Sequence, residues 1–222
     1  MLTALRSEFP NPHPKLNPPP DLSGRHQNLA LSQVRPGDCT ARDCPRDRER
    51  AELGEVDASS LVGQEYWYEF SFYLPKDFPN ISPAKTVLGQ FHQKGVQSPP
   101  VLFQYGIPPG AEAPSYYLDL NQTKLGHFPL IGERTLRGRW QDIRVHARWS
   151  TAADGLLQVY VNGRLTADVA GPNTRYGSPI SFKYGVYRSF LSRYKTAYGA
   201  SEVPGQAALF RSVRKSKTLN GL

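Results

Sequence analysis

The chain has 222 residues, 39% hydrophobic and 11% aromatic, enough for one large domain whose core needs no staples. Its net charge of +8 fits a polyanionic partner or simply a solvated surface. No apolar run reaches the roughly 18 residues of a membrane span, no Lys/Arg tract marks a nucleic-acid binder, and 20 prolines with 19 glycines work against long helices.

Residues 1–38 read as an extended arm packed on a domain of residues 39–222. Pro10, Pro12, Pro14, Pro18, Pro19 and Pro20 exclude helix and sheet interior there. Met1–Pro10 lacks the apolar segment of a secretory leader: either a leader has been removed or the chain is not exported by that route. Cys39 and Cys44 have no His pair beside them and make no zinc site. A small local disulfide and two unpaired thiols both remain open.

From Arg48 onward the pattern is β. Strands are expected at Tyr66–Leu74, Thr86–His92, Val101–Tyr105 and Tyr116–Leu120. In Trp140–Trp149 the side chains of Ile143, Val145, Ala147 and Trp149 alternate with Asp142, Arg144, His146 and Arg148. Leu156–Val161 runs into Asn162-Gly163, the strongest short hairpin signal, and Arg164–Val169 returns. Phe182–Ser189 is a further strand. Helical periodicity is weak, with at most a turn near Pro75–Asn80, and the basic stretch Arg211–Lys217 reads as a frayed terminus. Many short strands between turns indicate an all-β sandwich or jelly roll of antiparallel sheets.

Three strands carry potent side chains on one face. Arg48, Arg50 and Glu52 share a face opposite Ala51 and Leu53. Gln90 and His92 flank Phe91. Lys183 and Tyr187, about 13 Å apart along the backbone, flank Gly185, which leaves a gap for a sugar ring. Any one of these is ordinary solvated sheet. His127 and His146 read as structural.

Taken together, R-A-E-L (Arg50–Leu53), Q-F-H (Gln90–His92) and F-K-Y-G-V-Y-R (Phe182–Arg188) resemble the three signature strands of jelly-roll polysaccharide lyases. The alginate lyases of this type carry R-[ST]-E-[LV], Q-[IV]-H and Y-F-K-x-G-x-Y in that order. The Y-L-P ending at Pro75, the G-V-Y-R ending and the hairpin around Asn162-Gly163 are closer to the glucuronan lyases and the heparin-lyase-I-like group. The resemblance spans about Asp43 to Arg193. Ala51 and Phe91 depart from the alginate-lyase pattern on the face away from the chemistry. Arg6-Ser7-Glu8-Phe9 imitates the first motif, but it precedes the Pro-rich arm.

The resemblance implies β-elimination from a uronic-acid polysaccharide, glucuronan-like as first choice and endo-acting, by a monomer that is secreted or periplasmic. Elimination needs the C6 carboxylate neutralised, H5 removed and O4 protonated. Gln90 and Arg50 are candidates for the first task and His92 for the base. Tyr187 is the candidate proton donor, and also a base if Lys183 or Arg50 lowers its pKa. Arg48, Arg188, Tyr117, Asp119 and Asn121 are candidate substrate-binding residues. No catalytic cofactor or metal is expected; a structural Ca²⁺ stays open, although no acidic loop motif argues for one. The competing readings are a non-catalytic binding module for acidic glycans, a nucleic-acid binder on charge alone, and a glycoside hydrolase. A hydrolase would need two facing carboxylates, and these strands offer only Glu52, expected to pair with arginine.

Overall fold

A computed structural model describes residues 6–7, 29–55, 60–93, 95 and 98–222. It is an all-β sandwich of two antiparallel sheets. The strands in chain order are β1 (Arg6–Ser7), β2 (Ala30–Val34), β3 (Arg48–Gly54), β4 (Glu65–Tyr73), β5 (Lys85–Gln93), β6 (Val101–Gly106), β7 (Ser115–Asp119), β8 (His127–Gly132), β9 (Trp140–Arg148), β10 (Leu156–Val161), β11 (Arg164–Ala170), β12 (Ile180–Ser189) and β13 (Gln206–Ser216). One sheet has the order β1-β3-β12-β5-β6-β7-β8, and the other β11-β10-β9-β4-β13-β2.

Alternation builds the core between the sheets. Ile143, Val145, Ala147 and Trp149 are all fully buried, as the period of two requires. Aromatic side chains bridge the layers: Phe70 lies 5.8 Å from Phe103 and 5.1 Å from Phe182 between ring centroids, and Phe91 lies 4.8 Å from Trp149. Such tilted and edge-on contacts suit the ring quadrupoles. Asn162 and Gly163 both take positive φ, 49° and 82°, the geometry of the tight hairpin turn read from that dipeptide.

Four expectations are corrected. The arm does not extend to residue 38, because Ala30–Val34 pairs with Gln206–Phe210 of β13 and Val34 is fully buried in the core; residues 8–28 lie outside the described residues. The basic stretch is not frayed. Arg211, Arg214, Lys215 and Ser216 pair with β4, the Arg211 guanidinium lies 4.0 Å from the Trp140 ring centre, and Arg214 pairs with Glu69 at 3.1 Å. A bulge at Ser212, with φ 56°, interrupts the alternation and hides the strand.

Third, helices form at Glu133–Leu136 (α1) and Leu191–Tyr198 (α2). The Asp47 carboxylate, 145 residues away in sequence, accepts the Ser192 N–H at 3.0 Å, so the start signal of α2 is not local. The fourth is Gly185, whose value is not a gap above the sheet. Its φ is +130°, and a Cβ there would lie 2.3 Å from the Ala51 carbonyl oxygen. Close approach of β3 and β12 is what demands glycine. No helix among the described residues is long and apolar enough to cross a membrane.

Candidate active site

The site lies on the outer face of the β3–β12–β5 trio. On β12, Phe182, Tyr184 and Val186 enter the core, so Lys183 and Tyr187 project outward. On β5 the pattern is reset by a bulge. Leu88 is a core residue, and the missing Gly89 side chain would point at the core rings of Phe103 and Phe182. After these two inward positions in succession, Gln90 and His92 face out and Phe91 faces in. Strand pairing sets Lys183 beside Gln90 and Tyr187 beside Arg50.

These side chains line a cavity of about 680 Å³. Arg48, Arg50, Gln90, His92, Lys183 and Tyr187 form its floor and one side. Thr40, Ala41, Arg42, Asp43 and Arg46 form a wall that motif spacing did not reveal. Cys39 and Cys44 are joined by a disulfide that closes this wall segment.

Arg50 is held on two sides. Asp43 takes its Nε at 2.8 Å and its Nη2 at 2.6 Å, and Glu52 takes Nη1 at 3.1 Å. The second Glu52 oxygen accepts from Gln90 Nε2, so one buried carboxylate orients both candidate carboxylate-binding residues. The guanidinium carbon lies 4.5 Å from the centre of the Tyr187 ring, a cation–π distance.

Burial dominates the proton affinities. It pushes the Glu52 carboxyl up, against the opposing pull of Arg50 and Gln90. Burial works against the Arg50 charge, but Asp43 and Glu52 outweigh it and hold the group above its ordinary value. His92 is lowered to about 4 by burial and then by Lys183 and Arg50, so it is a neutral imidazole at pH 7. Tyr187 is raised, because burial exceeds the downward pull of Arg48 and Arg50. That reverses the expectation of a cation-lowered tyrosine: in the resting site it is a neutral phenol.

Arg188 is corrected most sharply. It is fully buried, its Nε donates to Glu49 at 2.6 Å and its Nη1 donates to the Pro204 carbonyl. Being adjacent to Tyr187 on one strand, it points the other way, so it is a structural ion pair and not groove lining. Tyr117 and Asp119 do lie on the outward side of β7, since Tyr116 and Leu118 are core residues. They are buried, however, and stand outside the cavity lining. Asp119 accepts from Gln104 and from the Asn121 N–H at 2.8 Å, with His127 at 3.5 Å and Lys85 at 3.6 Å. Asn121 is exposed and likewise outside the lining. His146 is on the far sheet, stacked on Trp67 at 4.1 Å.

Among the described residues, the hydrolase geometry is not met in the cavity. Asp43 is the one carboxylate among its described lining residues, and both its oxygens serve Arg50. Among the described residues, no three His, Cys, Asp or Glu side chains are grouped to hold a metal.

A family model described as polysaccharide lyase matches residues 17–207. The chain belongs to the polysaccharide lyase family. Among solved structures, the endo-β-1,4-glucuronan lyase from the fungus Trichoderma reesei aligns with a TM-score of 0.59 at 16% identity, covering 86% of this chain and 80% of that one. The alginate lyase from Alteromonas sp. 272 aligns with a TM-score of 0.57 at 15% identity, covering 90% of each. The alginate lyase Aly36B, as a mutant in complex with an alginate trisaccharide, aligns with a TM-score of 0.52 at 10% identity, covering 85% of this chain and 81% of that one. These likenesses place the fold among jelly-roll lyases. No curated protein matches.

Proposed function

We propose that this polysaccharide lyase cleaves a uronic-acid polymer by β-elimination within the chain, leaving a 4,5-unsaturated uronate end. The observation that carries the proposal is the joint presentation, on one cavity, of a held arginine, an oriented glutamine, a neutral imidazole and a protonated phenol. Arg50 and Gln90 bind the C6 carboxylate and stabilise the charge that develops as H5 leaves. His92, neutral at pH 7, removes H5. Tyr187 delivers its proton to O4, and the C4–O4 bond breaks as the electron pair from C5–H5 forms the C4=C5 double bond. Lys183 adds positive charge beside Gln90, and Arg42 and Arg46 in the wall with Arg48 below give the cavity the polarity that a polyanion requires.

The polymer proposed first is glucuronan-like, on the strand endings and the hairpin read from the sequence; the fold shared with a glucuronan lyase agrees with it. One observation favours a second reading. In glucuronate and mannuronate, H5 and O4 lie on the same side, so a single tyrosine can act as base and acid. A raised Tyr187 beside a neutral His92 better suits a base and an acid on opposite sides, as guluronate or iduronate demands. The Cys39–Cys44 disulfide supports a secreted or periplasmic setting.

The test is absorbance near ~235 nm, where the conjugated product of acid–base elimination absorbs, with glucuronan, polymannuronate, polyguluronate and heparin in separate reactions. A rise with one polymer is expected and names the substrate. A flat trace with all four while a glycan array shows binding would return the protein to a binding module. Replacing Tyr187 by Phe removes only the hydroxyl, so near-full activity in that variant would exclude it as the proton donor.

A further inference from the structure

Arg50 reaches both sides of the site. Its guanidinium lies against the Tyr187 ring, and one of its nitrogens bonds Glu52, which in turn orients Gln90. Glu52 takes only Nη1. The remaining two-point contact, Nε and Nη2, goes to Asp43, and a two-point fork fixes the plane of a guanidinium as a single bond cannot. The Asp43 side chain is only 6% exposed. It is not part of the strand that carries Arg50; it sits at the end of the cavity wall, seven residues earlier in the chain.

Asp43 is itself held. The Thr40 hydroxyl donates to Asp43 Oδ2 at 2.9 Å, the Asp43 N–H donates to the Thr40 carbonyl at 2.9 Å, and the Cys44 N–H donates to the same carbonyl at 3.0 Å. The disulfide joins the two ends of this six-residue loop, and Arg50 N–H donates to the Asp38 carbonyl at 3.0 Å just before it. Closing so short a loop leaves Asp43 few alternative positions.

We infer that Asp43 is a positioning residue for the elimination: clamped by the Cys39–Cys44 loop, it fixes the guanidinium plane of Arg50 against Tyr187 and the substrate carboxylate. It touches no reacting atom and acts through Arg50. The kinetic part rests on the lyase function proposed above; the positioning itself does not.

The experiment compares Asp43→Asn, Arg50→Lys and the double variant in the full chain, with Cys39→Ser/Cys44→Ser as a second route to the same loss. Thermal melting first confirms that each variant is folded at the assay temperature. On the uronan that the wild type cleaves, Asp43→Asn is expected to lower kcat by roughly 10–100-fold with a smaller change in KM. In the Arg50→Lys background it is expected to add almost nothing, because both changes remove one unit. The double serine variant loses activity in the same direction by a smaller factor. Independently of turnover, the Arg50 Nε–H signal in nitrogen-15 NMR, assigned by its loss in Arg50→Lys, is slow to exchange in the wild type and fast in Asp43→Asn. Additive losses, or wild-type kcat in folded Asp43→Asn, would overturn the inference, as would an Arg50 Nε–H that stays protected. If the wild type yields no unsaturated product from any uronan, the lyase proposal fails alone, and the exchange measurement decides the role of Asp43.

Discussion

Arg50 and Arg188 sit on one pair of neighbouring strands, and each is met by carboxylates. Arg50 has Asp43 and Glu52; Arg188 has Glu49. The side of the sheet separates them. Arg50 keeps 21% of its side chain exposed on a cavity and lies against Tyr187, whereas Arg188 is fully buried and also tied to the Pro204 carbonyl. Equal residue types and nearly equal pairing thus serve two ends. One arginine is held so that a third group, from outside, can still reach it; the other has its charge spent inside the protein.

The sharpest way to break the comparison is to truncate the buried arginine. Arg188→Ala leaves Glu49 charged and unpaired in the interior and is expected to cost about 3–5 kcal/mol of stability, read by denaturant unfolding. Activity per folded molecule should not change. Adding Glu49→Leu to Arg188→Met should restore most of the loss, because the cost lies mainly in the orphaned charge. The matching change on the other side, Arg50→Ala, should do the reverse. It is expected to lower kcat/KM by about 10²–10³-fold with a smaller change in unfolding midpoint, since Arg50 and Asp43 line a cavity that water can enter. If Arg188→Ala lost activity with stability intact, the division between the two arginines would be wrong.

Much of this division was legible in the sequence. Period two placed Arg50 with Glu52, Gln90 with His92, and Lys183 with Tyr187, and all but Glu52 line one cavity. The same rule, applied strictly, already put Arg188 opposite Tyr187; naming it for the groove set aside the alternation. Other features depend on contacts remote in sequence. Asp47 starts α2 across 145 residues, and the bulge at Ser212 breaks the pattern of β13. Asp43 sits between Thr40 and Cys44 with no periodic signal, so only the folded loop reveals that it grips Arg50. The cysteine spacing was the nearest hint.

Charge around Arg50 also sets a pH prediction that Arg188 cannot share. His92 is lowered to about 4, first by burial and then by Lys183 and Arg50, against an ordinary value of ~6.5. A base must be neutral to act, so the acid limb of kcat/KM should fall near pH 4 and not near pH 6.5. Lys183→Met should move that limb upward, and histidine NMR titration should follow it. The sign for stability is fixed by the same shift. Below pH 6.5 the unfolded chain takes up a proton that folded His92 refuses, so this contribution is present above pH 6.5, falls as pH falls towards 4, and levels off below. An acid limb near pH 6.5 would mean that the kinetically important base is another group.

The smallest effect concerns Asp119, where the comparison extends across the sheet. Like Asp43, it is a buried carboxylate on the outward side, but its partners are Gln104, the Asn121 N–H, Lys85 and His127, and none of these lines the cavity. Asp119→Asn keeps the volume and one acceptor oxygen while weakening the charge-assisted contacts, so it should cost only about 1 kcal/mol of stability. With a short uronan oligomer, kcat and KM should both stay at wild-type values. A long polymer is the more searching substrate, because only its extra sugar units could reach β6 and β7 from the cavity. A raised KM confined to the long polymer would show that the Asp119 network is a distant subsite after all. Unchanged values with both lengths would confine substrate recognition to the side of the sheet where Arg50 is held.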